Sequence, residues 1–199
     1  MSLLPKLAPW KKDGLYLAGG TALALQLGHR TSLDFDFYSE HDFEPLRQIE
    51  KLDLPPGKIK LTTQTRGTLL GLAGGVQISA FYYPYQLLKP PQDTPFLALA
   101  SLQDIAAMKV LAIAQRGKRR DFVDLYFLCR EFSLSEILKF AARKYPSFDI
   151  YTGLRGLLFF DDADQEKPRL GVRPKKQAAW ETVKQFFLKS AQIHLKSSR

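Results

Sequence analysis

The spacing of hydrophobic positions changes part way along the chain and predicts two kinds of secondary structure. Up to residue 83, short apolar runs alternate with polar turns, a pattern typical of β-strands. Gly74 and Gly75 indicate a hairpin between the last two strands, and Trp10 is expected to anchor the segment before the first strand. Helices are predicted in this region at residues 21–27 and 43–52. The predicted strands are residues 15–18, 33–37, 58–63, 68–73 and 76–83.

Beyond residue 95 the apolar positions follow helical spacing. Four prolines lie between Pro84 and Pro95, and we expect this segment to divide the chain. The pattern therefore predicts an α+β protein: a mixed β-sheet with flanking helices over residues 1–95, then an all-helical lobe over residues 96–199. The predicted helices of the second lobe are residues 102–115, 120–130, 134–144 with Ser133 as N-cap, 151–160 and 175–195.

The second predicted strand carries two aspartates, Asp34 and Asp36, separated by one residue. Because side chains alternate along a strand, we expect both carboxylates on one face. Leu33, Phe35 and Phe37 are then expected on the other face, in the core. Neighbouring carboxylates repel each other unless a cation, water or a base relieves them, and Mg²⁺ prefers oxygen ligands of this kind. The pair predicts either a divalent-metal site or an exposed acidic strand edge.

A diglycine turn, Gly19 and Gly20, precedes the helix that is predicted to begin at Thr21. Glycine lets an anion approach the backbone closely, and a helix N-terminus offers free N–H groups and a positive dipole end. We expect Thr21 to cap this helix. The turn therefore predicts a phosphate site next to the aspartates, although diglycine turns also occur without a ligand.

Composition and charge narrow the class of protein. The net charge of +9 favours polyanionic partners such as nucleotides, RNA or DNA, and is also compatible with solubility alone. Cys129 is the only cysteine, which excludes an internal disulfide framework, and three scattered histidines form no metal or triad pattern. No apolar run approaches the roughly 20 residues of a transmembrane helix, and no signal peptide is evident. We therefore expect a cytoplasmic protein with no membrane partner.

Positive charge is concentrated near the C-terminus. Residues 165–199 contain nine Lys or Arg and two Glu, which accounts for seven of the nine net positive charges. The last predicted helix has an apolar stripe for packing, so its basic face is expected to remain available to RNA, DNA or an acidic protein.

Two blocks of sequence together resemble one protein family. In the first block, residues 17–37, thirteen residues separate Gly-Gly from Asp-Phe-Asp. In the second block, residues 101–125, Ser-Leu-Gln-Asp-Ile-Ala-Ala-Met-Lys precedes Arg-Gly-Lys-Arg-Arg-Asp-Phe-Val-Asp-Leu. Both blocks, in this order, are similar to the AbiEii/AbiGii toxin branch of the nucleotidyltransferase superfamily, which has a polymerase β-like fold.

The resemblance implies a nucleotidyltransferase-like sheet and a set of site residues. Asp34 and Asp36 would ligate Mg²⁺, and Lys109 and Asp121 match a lysine and an aspartate that family members use in the helical lobe. Arg30 precedes the aspartates and is expected to reach the same site, and the basic cluster that contains Arg116 predicts either a phosphate contact or a solvated turn. The full set of expected nucleotide-binding residues is Gly19, Gly20, Thr21, Arg30, Lys109 and Arg116.

Lys109 also stands out on physical grounds. It is the only charged residue between Ile105 and Ala114, in a predicted helix that is otherwise apolar on most sides. Burying an unpaired charge costs several kcal/mol, so this lysine must reach solvent or meet an anion. A triphosphate would serve, and so would a structural partner such as Asp121 or Asp124.

The expected pattern of three carboxylates is incomplete. Many active nucleotidyltransferases place a third carboxylate on a later strand, where it acts as a general base or as a ligand of a second metal. In the strand at residues 76–83, Ile78 and Ala80 are expected to face inward, which leaves Gln77 and Ser79 as the polar positions. A hydroxyl cannot serve as a base near neutral pH. Asp121 is then the candidate for the base.

These observations predict a Mg²⁺-dependent enzyme that transfers a nucleotidyl group from an NTP to an acceptor, either tRNA or another RNA. In family terms it would be the toxin of a toxin–antitoxin or phage-defence system, with a cognate antitoxin as partner. Because the third carboxylate is absent, two alternatives remain open. One is a catalytically impaired module that binds nucleotides or nucleic acid, and the other is a phosphotransferase that acts on a protein.

Overall fold

A computed structural model describes residues 3–52, 54, 55, 57–166, 171–176 and 178–197. The chain forms two compact units: the first comprises residues 1–22 and 32–101, and the second comprises residues 23–31 and 102–199. Helix α2 (Gly19–Leu27) begins in the first unit and ends in the second. The predicted α+β class is confirmed, whereas the lobe boundary predicted at residue 95 stays a prediction.

The first unit is built on a seven-stranded mixed sheet with the order β3-β4-β5-β2-β1-β7-β6. Its strands are β1 (Tyr16–Ala18), β2 (Phe35–Ser39), β3 (Ile59–Thr65), β4 (Thr68–Ala73), β5 (Val76–Tyr82), β6 (Gln92–Asp93) and β7 (Ala98–Leu99). The pairs β2/β5 and β1/β7 are parallel, and the other pairs are antiparallel. Strand β6 lies in the proline-containing segment that was predicted to be a loop. A two-residue strand is too short to show periodicity, which is why the sequence pattern missed it.

The hairpin between β4 and β5 forms where the diglycine predicted it. Gly74 and Gly75 have φ of 58° and 85°, and Ala73 pairs with Val76 across the turn. Two successive positive φ values match the type I′ turn, whose twist suits a two-residue hairpin.

The core of the first unit is centred on the inner side chains of β1 and β2. Phe37 is buried and makes an edge-to-face contact with Trp10, with ring centroids 4.9 Å apart. Trp10 lies in α1 (Ala8–Lys12), after the 3₁₀ helix Leu4–Leu7. Its indole Nε1 donates to the carbonyl of Gln48 in α3 (Pro45–Glu50), at 2.8 Å. The predicted anchoring by Trp10 is confirmed. Leu33 is instead 40% exposed, because it precedes β2 and does not take part in the alternation of that strand.

The second unit is helical. After α2 it contains α4 (Leu102–Arg116), α5 (Arg119–Leu128), α6 (Leu134–Lys144), α7 (Ile150–Leu157), α8 (Asp161–Gln165) and α9 (Trp180–Ser197). Helix α4 packs against α5, α6 and α7, and α9 packs against the same three helices. Ser133 and Glu136 form a reciprocal capping box at the start of α6, as the cap prediction requires. Among the described residues, none of the helices is both long and apolar enough to cross a membrane.

The last helix begins at Trp180 rather than at Lys175. Residues 171–176, which we name the basic strap, precede this helix: the backbone N–H groups of Lys175 and Lys176 donate to the carbonyl of His29, and Pro174 forms an isolated antiparallel bridge with Arg30. Of the basic residues near the C-terminus, Lys167, Arg169, Arg199 and the side chain of Lys196 lie outside the described part of the chain.

Candidate active site

Asp36 occupies the centre of the sheet. In the strand register it lies between Ala18 of β1 and Ser79 of β5. Ala18 is the last residue of β1, and Gly19 begins α2 directly after it. Gly19 has φ of 64°, and a Cβ atom at this position would lie 3.5 Å from Asp36 Oδ2. The carboxylate of Asp36 is therefore next to the first residue of α2, where helical N–H groups have no intrahelical partner.

Thr21 connects this helix to the segment that carries Asp34. Its hydroxyl donates to the carbonyl oxygen of Asp34 and lies 2.7 Å from Ser32 Oγ. The prediction that Thr21 caps the helix is wrong, because α2 begins at Gly19 and Thr21 lies within its first turn. The side chain instead fixes the backbone just before β2. Its predicted contact with phosphate stays a prediction.

Ser79 stands where a third carboxylate was expected. It is buried, it pairs with Asp36 across β2 and β5, and its hydroxyl donates to Asp36 Oδ1 at 2.6 Å. In the described residues, no group of three or more His, Cys, Asp or Glu side chains is arranged to hold a metal. This position therefore contributes a hydrogen-bond donor that orients Asp36, and contributes no third acid.

Asp36 lies in β2 and Asp34 directly precedes that strand, and the predicted binding of one Mg²⁺ ion by the two carboxylates stays a prediction. Mg²⁺ is commonly held in proteins by one or two carboxylates, and substrate phosphates and water supply the other oxygens. Both aspartates are half-buried, and Ser79 holds one oxygen of Asp36 in a fixed orientation. Two oxygen donors of this kind match a metal that arrives with a nucleotide better than a metal held by protein alone.

A second cluster of ionisable residues lies within the second unit. Lys109 of α4 places its Nζ 2.7 Å from Asp121 Oδ1 and 2.7 Å from Asp124 Oδ2, and both aspartates belong to α5. All three side chains are buried. Of the alternatives open for Lys109, the structure shows pairing with both aspartates. A catalytic role for Lys109 and Asp121 stays a prediction.

Two residues from the loop after α2 complete the pairing of Asp124. Arg30 donates to both carboxylate oxygens, from Nε at 2.7 Å and from Nη2 at 2.9 Å. His29 Nε2 lies 2.8 Å from Asp124 Oδ1, and its ring is buried against Phe127. On the other aspartate, Arg116 Nε donates to Asp121 Oδ2 at 3.0 Å. We name the set after its two buried aspartates, although the side chain of Arg116 is 49% exposed. The buried charge network comprises His29, Arg30, Lys109, Arg116, Asp121 and Asp124.

The network sets the charge state of its members. Burial by itself would raise the pKa of Asp121, but the charges of Lys109 and Arg116 outweigh burial and lower that pKa below its ordinary value. Asp124 is buried too, and Lys109, Arg30 and His29 likewise lower its pKa. Burial would lower the pKa of Lys109, and the two aspartates reverse this and raise it. All three groups therefore stay ionised at neutral pH.

The predicted roles of Asp121, Arg30 and Arg116 have to be weighed against these contacts. A carboxylate with a lowered pKa and cations on both oxygens is a weak proton acceptor, so Asp121 is poorly suited to act as a general base. Arg30 and Arg116 form ion pairs inside the second unit, and their contact with a nucleotide stays a prediction.

Sequence reasoning named Asp124 only as a possible partner of Lys109 and missed its contact with His29. Their contact joins residues 95 positions apart. The useful signal was local: Asp121 and Asp124 are three residues apart on a helix and therefore share a face. Nothing in the sequence near His29 indicates which carboxylate it meets.

Comparisons with known proteins identify the family of the chain. The family model for the nucleotidyl transferase AbiEii toxin, of type IV toxin–antitoxin systems, matches residues 8–191. The protein aq_aa25 of Aquifex aeolicus (strain VF5) is 38% identical over 194 residues, which cover 93% of this chain and 90% of that protein. The chain therefore belongs to the AbiEii family of nucleotidyltransferase toxins, and the resemblance seen in the two sequence blocks is confirmed.

Solved structures support the fold assignment. MenT4, a nucleotidyltransferase toxin from Mycobacterium tuberculosis H37Rv, superposes with a TM-score of 0.60 at 18% identity, covering 94% of this chain and 80% of that chain. JHP933 from Helicobacter pylori superposes with a TM-score of 0.55 at 18% identity, covering 98% of this chain and 88% of that chain. The nucleotidyltransferase-like sheet followed by helices, predicted from sequence, is thereby confirmed.

Proposed function

We propose that the protein transfers a nucleotidyl group from an NTP to an RNA acceptor, with tRNA as one candidate, and that one Mg²⁺ ion assists. The observation that carries the proposal is the position of Asp36 beside the first residue of α2, with Ser79 fixing one of its oxygens. Family membership supports nucleotidyl transfer, and the positive net charge supports a polyanionic acceptor.

The start of α2 would bind the nucleotide phosphates. The N–H groups of Gly19, Gly20 and Thr21 have no helical acceptor, and the positive end of the helix dipole favours anions. Gly19 has φ of 64°, which favours glycine, and a Cβ atom there would come into van der Waals contact with the carboxylate of Asp36. Because Thr21 ties α2 to the backbone of Asp34, the phosphate site and the carboxylates move as one piece.

Asp34 and Asp36 would hold Mg²⁺, which when bound neutralises phosphate charge and stabilises the leaving group. In the reaction, a hydroxyl oxygen of the acceptor forms a bond to the α-phosphorus. The bond from that phosphorus to the bridging oxygen breaks, and pyrophosphate leaves with the electron pair. Ser79 would keep Asp36 oriented throughout, because its hydroxyl is a fixed donor to Oδ1.

When the hydroxyl of the RNA acceptor reacts, another group must take up its proton. Ser79 cannot take it near neutral pH, and the pairing of Asp121 disfavours that residue as the base. We therefore propose that the proton passes to solvent or to a phosphate oxygen. For the buried charge network we propose a positioning role: it would keep Lys109 and Arg30 charged and in fixed places.

Label transfer tests the proposal. Incubation with each α-labelled NTP and total RNA is expected to label RNA in a Mg²⁺-dependent manner, and Asp36→Ala is expected to abolish labelling. Asp13→Asn is the matched control in the same unit, because Asp13 pairs with Lys51 at the surface and does not contact Asp36. Unchanged labelling by Asp36→Ala would refute the assignment of the site.

The second candidate function is a binding module without chemistry, and the serine at position 79 is the observation that favours it. Calorimetry with an NTP, with and without Mg²⁺, combined with a measurement of pyrophosphate release, separates the two candidates. Binding without release favours the module. A phosphotransferase would instead transfer the γ-phosphate label to a protein.

The toxin family also implies an antitoxin partner. We propose that a cognate antitoxin suppresses the transfer reaction in the cell. Co-expression of the chain with the product of the neighbouring gene, followed by the same labelling assay, tests this relation. Labelling that is independent of the neighbouring product would count against it.

A further inference from the structure

The basic strap is held firmly against the loop that follows α2. Thr31 N donates to the carbonyl of Arg173 at 2.9 Å, and Arg173 N donates to Thr31 Oγ1 at 2.7 Å. The N–H groups of Lys175 and Lys176 donate to the carbonyl of His29 at 2.8 and 2.9 Å. The strap thus pairs with the loop much as an added strand would, without belonging to the sheet.

The loop under the strap is itself anchored to a helix. His29 and Arg30 both contact the buried carboxylate of Asp124 on α5. Lys176 adds a further link, because its Nζ donates to the carbonyl of Leu27 at the end of α2, at 2.8 Å. Backbone and side-chain contacts therefore immobilise the strap before any partner arrives, which lowers the entropic cost of binding.

The strap presents exposed cations. Arg173 and Lys175 are exposed, and within the described parts of the chain neither side chain forms an ion pair or a hydrogen bond. Residues 171–176 contain no acidic residue. Elsewhere in the second unit a comparable surface cation is neutralised: Lys184 pairs with Asp164 and Glu181.

We propose that the basic strap binds the phosphate backbone of the RNA acceptor, with Arg173 and Lys175 each contacting a phosphate. The inference rests on the proposed function for the identity of the polyanion. Phosphate contacts require only positioned cations and backbone donors. A protein interface would instead need an apolar or aromatic centre. The strap has no aromatic residue, and its one large apolar side chain, Val172, is half-buried. These features favour nucleic acid over an acidic protein.

The strap is also continuous in sequence with the candidate catalytic segment. Thr31, which pairs with Arg173, is followed after two residues by Asp34. The loop that holds the strap therefore leads within three residues to Asp34, directly before β2. This assigns the strap to the acceptor, because the start of α2 already accounts for the nucleotide.

The test is a charge reversal with a matched control. Arg173→Glu/Lys175→Glu changes the strap, and Lys139→Glu/Arg143→Glu makes the same change in net charge at exposed positions of α6. Affinity for a short fluorescein-labelled single-stranded RNA of mixed sequence is measured by fluorescence anisotropy at several salt concentrations. The full-length protein is used, and the urea unfolding midpoint of each variant confirms that it is folded.

The strap variant is expected to bind this RNA about tenfold more weakly, and the slope of log K against log salt should decrease by about 1.4, since each lost contact to a single strand contributes about 0.7. The control variant should keep the wild-type slope. Equal losses in both variants would overturn the proposal, because net charge alone would then explain binding. An unchanged slope in the strap variant would overturn it as well.

Failure of this inference can be told apart from failure of the proposed function. The binding measurement needs neither an NTP nor turnover. If Asp36→Ala abolishes label transfer while the strap variant binds RNA normally, only the strap assignment fails. If the strap variant loses RNA affinity and Asp36→Ala still transfers label, the active-site assignment fails and the strap assignment stands. If the active-site assignment and the strap assignment are both correct, the strap variant raises KM for RNA and leaves KM for the NTP unchanged.

Discussion

Replacing Asp124 by asparagine is the sharpest test of the buried charge network. Asp124 is fully buried and accepts hydrogen bonds from Arg30 and from Lys109. The asparagine keeps the size of the side chain and removes its charge. Two buried cations then lose a shared counter-charge, although Lys109 retains Asp121 at 2.7 Å.

The expected loss follows from the remaining contacts. Removing one partner of a buried ion pair typically costs 3–5 kcal/mol, and the retained Asp121 places Asp124→Asn near the lower limit, at about 3 kcal/mol. With a urea m-value of about 3 kcal/mol/M for a chain of this size, the midpoint should fall by about 1 M. An exposed pair should be worth far less, about 0.2–1 kcal/mol.

The assay follows unfolding of the second unit alone. Its tryptophan is Trp180, which contacts Phe122 of α5 at 5.8 Å between ring centroids. The other tryptophan, Trp10, is in the first unit, so a Trp10→Phe background isolates the fluorescence of interest. Glu181→Gln is the control, because Glu181 forms an exposed pair with Lys184. If Asp124→Asn and Glu181→Gln shift the urea midpoint equally, the network does not stabilise the unit and the reasoning fails.

Three further predictions follow from the same structure. Asp121 and Asp124 have lowered pKa values, so their ionised carboxylates stabilise the folded state above the unfolded pKa of about 3.9, and this stabilisation is lost as pH falls through the folded pKa. Urea midpoints should therefore be constant near neutral pH and decrease below about pH 4. The decrease should be less steep in Asp124→Asn. Gly19→Ala and Gly74→Ala both place an L-residue at positive φ, and each should lower the free energy of unfolding by about 1–2 kcal/mol. Only Gly19→Ala should reduce label transfer, because its methyl group approaches Asp36. Equal activity of the two variants would contradict this. Ser79→Ala should destabilise the first unit by about 1 kcal/mol by removing the donor to Asp36, measured as a shift in urea midpoint, and wild-type stability would show that the hydrogen bond contributes nothing.

Local signals in the sequence predicted local structure well. Gly74 and Gly75 predicted the hairpin because only residues that tolerate positive φ form such a turn. Ser133 predicted the start of α6 because its hydroxyl can accept from the N–H of Glu136. The two aspartates beside a diglycine, together with the second sequence block, predicted the family. Each of these signals depends on residues that are close in the chain.

Features that depend on distant residues could not be predicted in the same way. Strand β7 is two residues long and is defined by its pairing with β1 and β6. The helix predicted to begin at Lys175 begins at Trp180, and the N–H groups of Lys175 and Lys176 donate instead to the carbonyl of His29. The partner of His29 is separated from it by 95 positions. Tertiary contacts determine these features, and the periodic pattern of apolar residues gives no information about such contacts.

The shared helix α2 has a consequence for dissecting the molecule. Since residues 23–31 belong with the helices that follow residue 101, no single cut separates the chain into its two units. A fragment ending at Ser101 would carry His29 and Arg30 without Asp124, and its complement would expose a buried acid with no guanidinium to meet it. The two fragments should therefore be poorly soluble when expressed apart and should recover when co-expressed. The two units therefore cannot be encoded by two separate segments of the gene. We expect recombination between relatives to keep residues 19–124 together.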